Sequence, residues 1–128
     1  MADVLYPQYK EAILTAGLNL TTSDIRVALI RSTYTYTSTD DFMNDITAHE
    51  NGRSGALGSK TVTNGVFDAA DTSLTATAAV ACNAIVVFYH TGVDSTARLL
   101  AYIDYDPFTP SASQSVNIEF NASGIFSL

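Results

Sequence analysis

The sequence predicts a mainly β fold: an antiparallel β-sandwich, jelly-roll-like or barrel-like, of six to eight strands with one N-terminal α-helix. Three observations carry this expectation. From Lys60 onward, β-prone runs alternate with turn residues about every 8–12 positions, the rhythm of a sandwich or barrel rather than of βαβ units. An Asn64-Gly65 pair sits between two such runs, the strongest short-range hairpin signal there is. Helical spacing of apolar residues shows best near the N-terminus.

The elements follow in order. Residues 1–6 form a leading segment, and 7–17 form the helix. Pro7 suits a first helical turn, and Gly17 suits the position just past the end. Tyr6, Tyr9, Ile13 and Ala16 recur at helical spacing, with Lys10 and Glu11 on another face. Asn19–Asp24 is a polar connection. In Ile25–Arg31, Ile25, Val27 and Leu29 face a core and Arg26 faces outward. Tyr34 and Tyr36 share a face if their Thr/Tyr-rich segment is extended. Ser38, with Asp41 three residues later, resembles a capping box, and a short second helix is expected over about 40–46. Residues 47–58, with Gly52, Gly55 and Gly58 among polar residues, read as a long loop.

The second half reads as strands. Lys60–Thr63 and Val66–Ala69 flank the hairpin turn, and Thr72–Val80 is a further strand region. Asn83–His90, rich in Val, Ile and Phe, is the central buried strand. Thr91–Asp94 turns the chain, and Arg98–Ile103 returns it. Pro107 and Pro110 interrupt what comes next. Val116, Ile118 and Phe120 alternate on one face, Asn121–Gly124 turns again, and Ile125-Phe126 closes the sheet. The 128 residues suit one domain, 1–128, with no internal repeat or linker.

Composition narrows the partners. Six Lys and Arg stand against 13 Asp and Glu, a net charge of −7. That balance argues against gripping nucleic acid, which needs clustered cations, and against an anionic membrane surface. Charged residues are only 15%, so polarity comes mainly from Ser, Thr, Asn and Gln. A hydrophobic content of 47% excludes a disordered acidic tail. No apolar run is long enough to span a membrane, and Met1–Pro7 lacks the basic and apolar regions of a signal peptide. Cys82 is alone, so neither an internal disulfide nor a zinc set is expected. It reads as a small core residue, in keeping with a reducing cytoplasm.

Candidate chemistry is sparse. His90, Asp94 and Ser95 supply the residue types of a hydrolytic triad, without a nucleophile elbow or a Gly-rich oxyanion loop. His49, Asp45 and Glu50 match no zinc spacing. Asp68 with Asp71, and Asp104 with Asp106, invite calcium, but the Gly and terminal Glu of its loop motif are missing. No catalytic residue, metal or cofactor is expected. Tyr34, Tyr36, Tyr102, Tyr105 and Phe108 are the aromatics best suited to an exposed binding surface. Asn19-Leu20-Thr21 and Asn121-Ala122-Ser123 match the glycosylation pattern, with no other sign of a secretory route.

Five segments together resemble a family of small virion proteins of tailed bacteriophages. They are Val4–Ala12, Ile25–Leu29, Lys60–Asp71, Thr91–Gly92 through Arg98–Asp104, and Asn121–Phe126. The resemblance runs nearly end to end, in strings that carry no chemical motif. It implies a non-enzymatic capsid cement, or decoration, protein. Such a protein binds the outside of the capsid, with the phage major capsid protein as partner, and associates with itself as a homotrimer. It contacts neither nucleic acid nor membrane, and it is assembled in the host bacterial cytoplasm. The candidate partner interface is then the N-terminal segment, with Val4, Leu5, Tyr6 and Tyr9, and the excursion bearing Tyr34, Tyr36 and Phe42. The alternative role is a tail or baseplate component, including a host-receptor binding module.

Overall fold

A computed structural model describes residues 3–15 and 18–127. Its strands in chain order are β1 (Val4–Leu5), β2 (Ile25–Arg31), β3 (Glu50–Arg53), β4 (Thr61–Thr63), β5 (Val66–Asp68), β6 (Thr72–Thr75), β7 (Cys82–Tyr89), β8 (Leu99–Phe108), β9 (Ser115–Ile118) and β10 (Phe126–Ser127). Helix α1 (Pro7–Thr15) follows β1, and two 3-10 turns, Met43–Asp45 and Thr47–His49, precede β3. The fold is mainly β and antiparallel, with one α-helix near the N-terminus, as the sequence predicts. The expected helix end at Ala16 and Gly17 lies outside the described residues.

The main sheet has the order β1-β8-β7-β2-β3. Its two central strands are apolar on both faces. Register puts Ala28, Ile30, Ala84, Val86, Phe88 and Tyr102 on one face, and Val27, Leu29, Ile85, Val87 and Ala101 on the other. All eleven are buried. The expected alternation of β2 is therefore only half of its pattern: Arg26 is half-buried, but Ala28 and Ile30 are as buried as Val27 and Leu29. A strand buried on both sides needs cover on both sides.

The second face is covered by the C-terminal strands. A three-stranded sheet, β10-β5-β4, and a two-stranded ribbon, β6-β9, complete a sandwich-like arrangement. Between β4 and β5, Asn64 (φ 53°) and Gly65 (φ 79°) both take positive φ, and Thr63 pairs with Val66. This is the two-residue turn that the Asn-Gly pair predicts. Ile125-Phe126 closes the small sheet, with Phe126 opposite Phe67.

Pro107 does not end its strand. β8 continues to Phe108 because the ladder slips there: Ala84 opposes Asp104, while Cys82 opposes Phe108. Three residues of β8 thus bulge past Asn83, so Pro107 sits where no ladder N–H is required.

The expected long loop over 47–58 is the clearest correction. Thr47–His49 is a 3-10 turn, and Glu50–Arg53 is an edge strand beside β2. The chain then tracks β2 further, with Ser54 N–H donating to Val27 and Leu57 N–H donating to Ile25. Polar composition conceals this strand because its polar side chains are satisfied internally. Buried Asn51 donates to the Ala78 carbonyl and accepts from Ala78 N–H and Thr77 Oγ1. The short second helix is a single 3-10 turn, Met43–Asp45. Asp45, rather than Ser38, caps it by accepting from the Asp41 and Phe42 N–H groups.

Gly52 allows β3 to lie against β6. Its φ is +117°, and a Cβ there would stand 2.3 Å from the Thr75 carbonyl oxygen. Gly52→Ala should cost about 3–5 kcal/mol, the sum of backbone strain and backbone overlap. Gly55→Ala, three residues on and with open space around it, should change stability by less than about 0.5 kcal/mol. Urea denaturation midpoints of the two variants measure the contrast.

Candidate interaction surface

The N-terminal candidates are strand and core. Val4 and Leu5 pair with Tyr102 and Ala101 as the edge strand of the main sheet, and both are half-buried. Tyr6 N–H donates to the Leu100 carbonyl at 3.0 Å. Asp104 N–H donates to Asp3 Oδ1 at 2.8 Å. The Tyr6 side chain is fully buried, and Tyr9 is buried edge-on against Phe126, 6.0 Å between centroids. A partner that reached either ring would have to unpack the segment first.

The excursion between β2 and β3 packs onto the main sheet through its aromatics. Tyr34 and Tyr36 stand 6.0 and 5.8 Å from the Tyr102 ring, and Tyr36 is 5.2 Å from Tyr6. The segment is irregular, between turns at 32–33 and 38–39, rather than an extended strand, yet both tyrosines reach the same sheet face. A hydrogen-bond chain fixes the arrangement. Tyr34 donates to Asp40 Oδ2 at 2.9 Å, which uses its only hydroxyl proton. Tyr6, 3.0 Å away, must therefore donate to Tyr34. Thr37 N–H also points at the Tyr34 oxygen, at 3.4 Å. Burial pushes the Tyr34 phenol up to about 12, with Asp40 adding to the rise and the Tyr6 bond opposing it. Burial likewise raises Tyr6 strongly, and raises Tyr9 to about 12.

Phe42 lies at the return of the excursion. It bridges to Arg98, whose guanidinium stands 4.8 Å over its ring. Met43 N–H donates to Ala97 at 2.8 Å, and Leu99 N–H donates to Asp41 at 2.9 Å. Asp45 is held below the usual carboxylate range by the Asp41 and Phe42 N–H groups. Asp41 is raised, by burial first and then by its bond to Asp45. Of the seven candidates, Tyr6, Tyr9 and Tyr34 are core residues, while Val4, Leu5, Tyr36 and Phe42 are half-exposed. Tyr102, expected on the surface, is buried too, and Tyr105 and Phe108 are half-exposed.

The candidate chemistry disperses in the fold. Both Asp94 oxygens accept from Arg53, at 3.0 and 3.3 Å. His90 Nδ1 is buried without a hydrogen-bond partner, so His90 and Asp94 do not pair. His49 Nδ1 bonds Thr33, Glu50 binds Arg53 through both oxygens, and Asp45 caps its turn. Asp68 takes the Ala69 N–H, and Asp71 takes the Phe120 N–H. Among the described residues no three His, Cys, Asp or Glu side chains are placed to hold a metal ion. Burial raises the Cys82 thiol, which works against the nucleophilic thiolate.

Two surface features escape the sequence reading. Leu14 on α1 is 86% exposed, and Val62 on β4, 52% exposed, lines a shallow groove with Tyr9, Ile13, Leu18 and Leu20. Leu14 directly follows Ile13, one step of about 100° around the helix, which takes it off the packed stripe. A second groove, of about 610 Å³, has Ile103, Ile125 and Phe126 among its walls and Asp3, Asp104 and Glu119 on its margin. Its parts come from chain ends far apart in sequence.

The tyrosine chain has a measurable signature. Tyr6→Phe should cost about 1 kcal/mol, since Tyr34 keeps Thr37 and Asp40. Tyr34→Phe should cost about 2 kcal/mol, because it strands the buried Tyr6 hydroxyl. The double variant should cost less than the sum by about 1 kcal/mol in a denaturation cycle. The raised phenols set a pH limit. Their folded pKa values exceed the unfolded one, so their stabilisation is complete below about pH 10 and is lost on going toward about 12, where Tyr9 and Tyr34 titrate. Stability measured against pH should fall across that window. Ultraviolet titration should show these two rings ionising late, above the ordinary tyrosine range. Set against protein-family models, curated proteins and solved structures, the chain finds no match in any of the three.

Proposed function

We propose that this chain is a non-enzymatic structural protein of a tailed-bacteriophage virion. In this reading it is a cement protein that binds the outside of the capsid, stabilises the lattice of the major capsid protein, and associates with itself as a homotrimer. The observation that carries the reading is the nearly end-to-end resemblance to small phage virion proteins. Its segments fall on the framework of the fold: on β1 and α1, on β2, on the β4–β5 hairpin, on β8, and on the turn into β10.

The physical properties support the role. The tyrosine chain and the Phe42–Arg98 bridge hold the largest excursion against the sheet. A domain ordered in this way meets a lattice without first losing conformational freedom, which keeps the cost of binding low. A net charge of −7 suits a position outside the shell, away from packaged DNA. A cement protein then acts by mass action. At about 100 times its Kd it adds about 2.7 kcal/mol per site to the assembled state.

Immunogold labelling and copy counting on purified virions test the proposal. Label over the head, at a copy number of order that of the capsid subunits, is the expected result. Particles lacking the protein should lose DNA at lower temperature than wild-type particles. Absence from purified heads overturns the role, and label confined to the tail replaces it with the tail or baseplate role.

A further inference from the structure

We propose that copies of this chain associate head to tail, α1 of one copy set on the acidic groove beside β8 of the next. This gives a surface to the self-association in the function above. It rests on that part of the reading and not on the capsid.

Leu14 carries the first half of the argument. It is a large apolar side chain left 86% exposed, on a helix where Tyr9 is buried and Ala12 and Ile13 are half-buried. Lys10 stands four residues before it, so the ammonium and the leucyl side chain project from the same side of the helix. The other cations are engaged within their own copy. Arg26 binds Asp24, and Arg53 binds Glu50 and Asp94. Arg31 and Lys60 donate to the Glu50 and Ser23 carbonyls, and Arg98 covers Phe42. The Lys10 ammonium has no hydrogen-bond or ion-pair partner among the described residues.

The 610 Å³ groove supplies the complement. Ile103, Ile125 and Phe126 offer apolar wall for Leu14, and the exposed carboxylates of Asp3 and Glu119 stand at the margin for Lys10. Among the described residues no Lys or Arg lines it. Charge also selects the geometry. A two-fold contact of the groove with itself would bring carboxylates against carboxylates, whereas α1 against the groove sets the Lys10 ammonium toward carboxylates around an apolar centre. The contact is therefore heterologous, and it closes into a ring or grows as an open chain according to the rotation it imposes.

Sedimentation velocity on the full chain over a concentration series tests this, using Lys10→Glu and Glu119→Lys. Both positions are exposed, and thermal melts should show both variants folded. The wild type should sediment as multiples of 13.6 kDa. Each variant alone should associate at least about tenfold more weakly, because like charges then meet across the contact. An equimolar mixture of the two should recover association and grow beyond the pair as alternating copies, since the acidic helix of the first variant meets the basic groove of the second and the unchanged helix of the second meets the unchanged groove of the first. The double variant, with the charges exchanged, should recover the wild-type series. A wild type that stays monomeric at all concentrations overturns both this contact and the self-association in the proposed function. Oligomers indifferent to the charge exchange overturn this contact alone. The capsid question is decided separately, by the labelling of virions.

Discussion

The structure depends on two strands that are apolar on both faces. β2 and β7 place Val27, Leu29, Ile85 and Val87 on one side of the main sheet, and Ala28, Ile30, Val86 and Phe88 on the other. Neither side can be left to water: each of the larger side chains loses about 1.5–3 kcal/mol of burial if exposed. The rest of the chain is arranged to cover them. The C-terminal strands supply one layer, with Phe67, Ile118 and Ile125 buried in the common core. The other face has no second sheet, and the excursion from Ser32 to His49 lies over it instead, through Tyr34, Tyr36, Met43 and Ile46.

An irregular cover needs directional bonds where a sheet would have a ladder. The Tyr6–Tyr34–Asp40 chain provides them, joining the N-terminal segment, the excursion and its acidic turn in one connected set. At the other edge Asn51 does the same for β3, binding Ala78 and Thr77 while β3 itself pairs with β2. Both networks place polar atoms inside the protein with partners for them, so they fix where the cover sits more than they add to stability. The tyrosines that look like binding residues in the sequence are there for this reason. Tyrosine suits a partner's surface because it joins area to a hydroxyl, and the same pairing suits the chain's own interior.

What could be read from the sequence was local. The Asn64-Gly65 turn depends on backbone sterics at two adjacent residues, and it formed as expected. Pro7 opens α1 for a similarly local reason. The features that escaped depend on partners distant in the chain. Glu50–Arg53 looks like loop until β2 pairs with it and Ala78 satisfies Asn51. Pro107 looks like a terminator until the slip opposite Asn83 removes the need for its N–H. β2 reads as a one-faced strand because Arg26 is polar, yet the face it shares with Ala28 and Ile30 is buried by the excursion. The candidate surface was hidden for the same reason. Burial decides whether Tyr34 or Leu14 is available, and burial is a property of the whole fold.

Charge follows the same division between inside and outside. The cations are few, and most of them hold this chain together: Arg53 alone joins β3 to the turn at Asp94 and covers the Phe88 ring at 5.1 Å. Its guanidinium is held in the charged form first by the Glu50 bond. Each arginine turned to a carboxylate or carbonyl of its own copy is one fewer to balance the exposed acids. β8 carries Asp104 and Asp106, and Glu119 directly follows β9; all three are exposed. The interior bonding of the arginines thus commits most of the chain's positive charge to contacts within the chain itself.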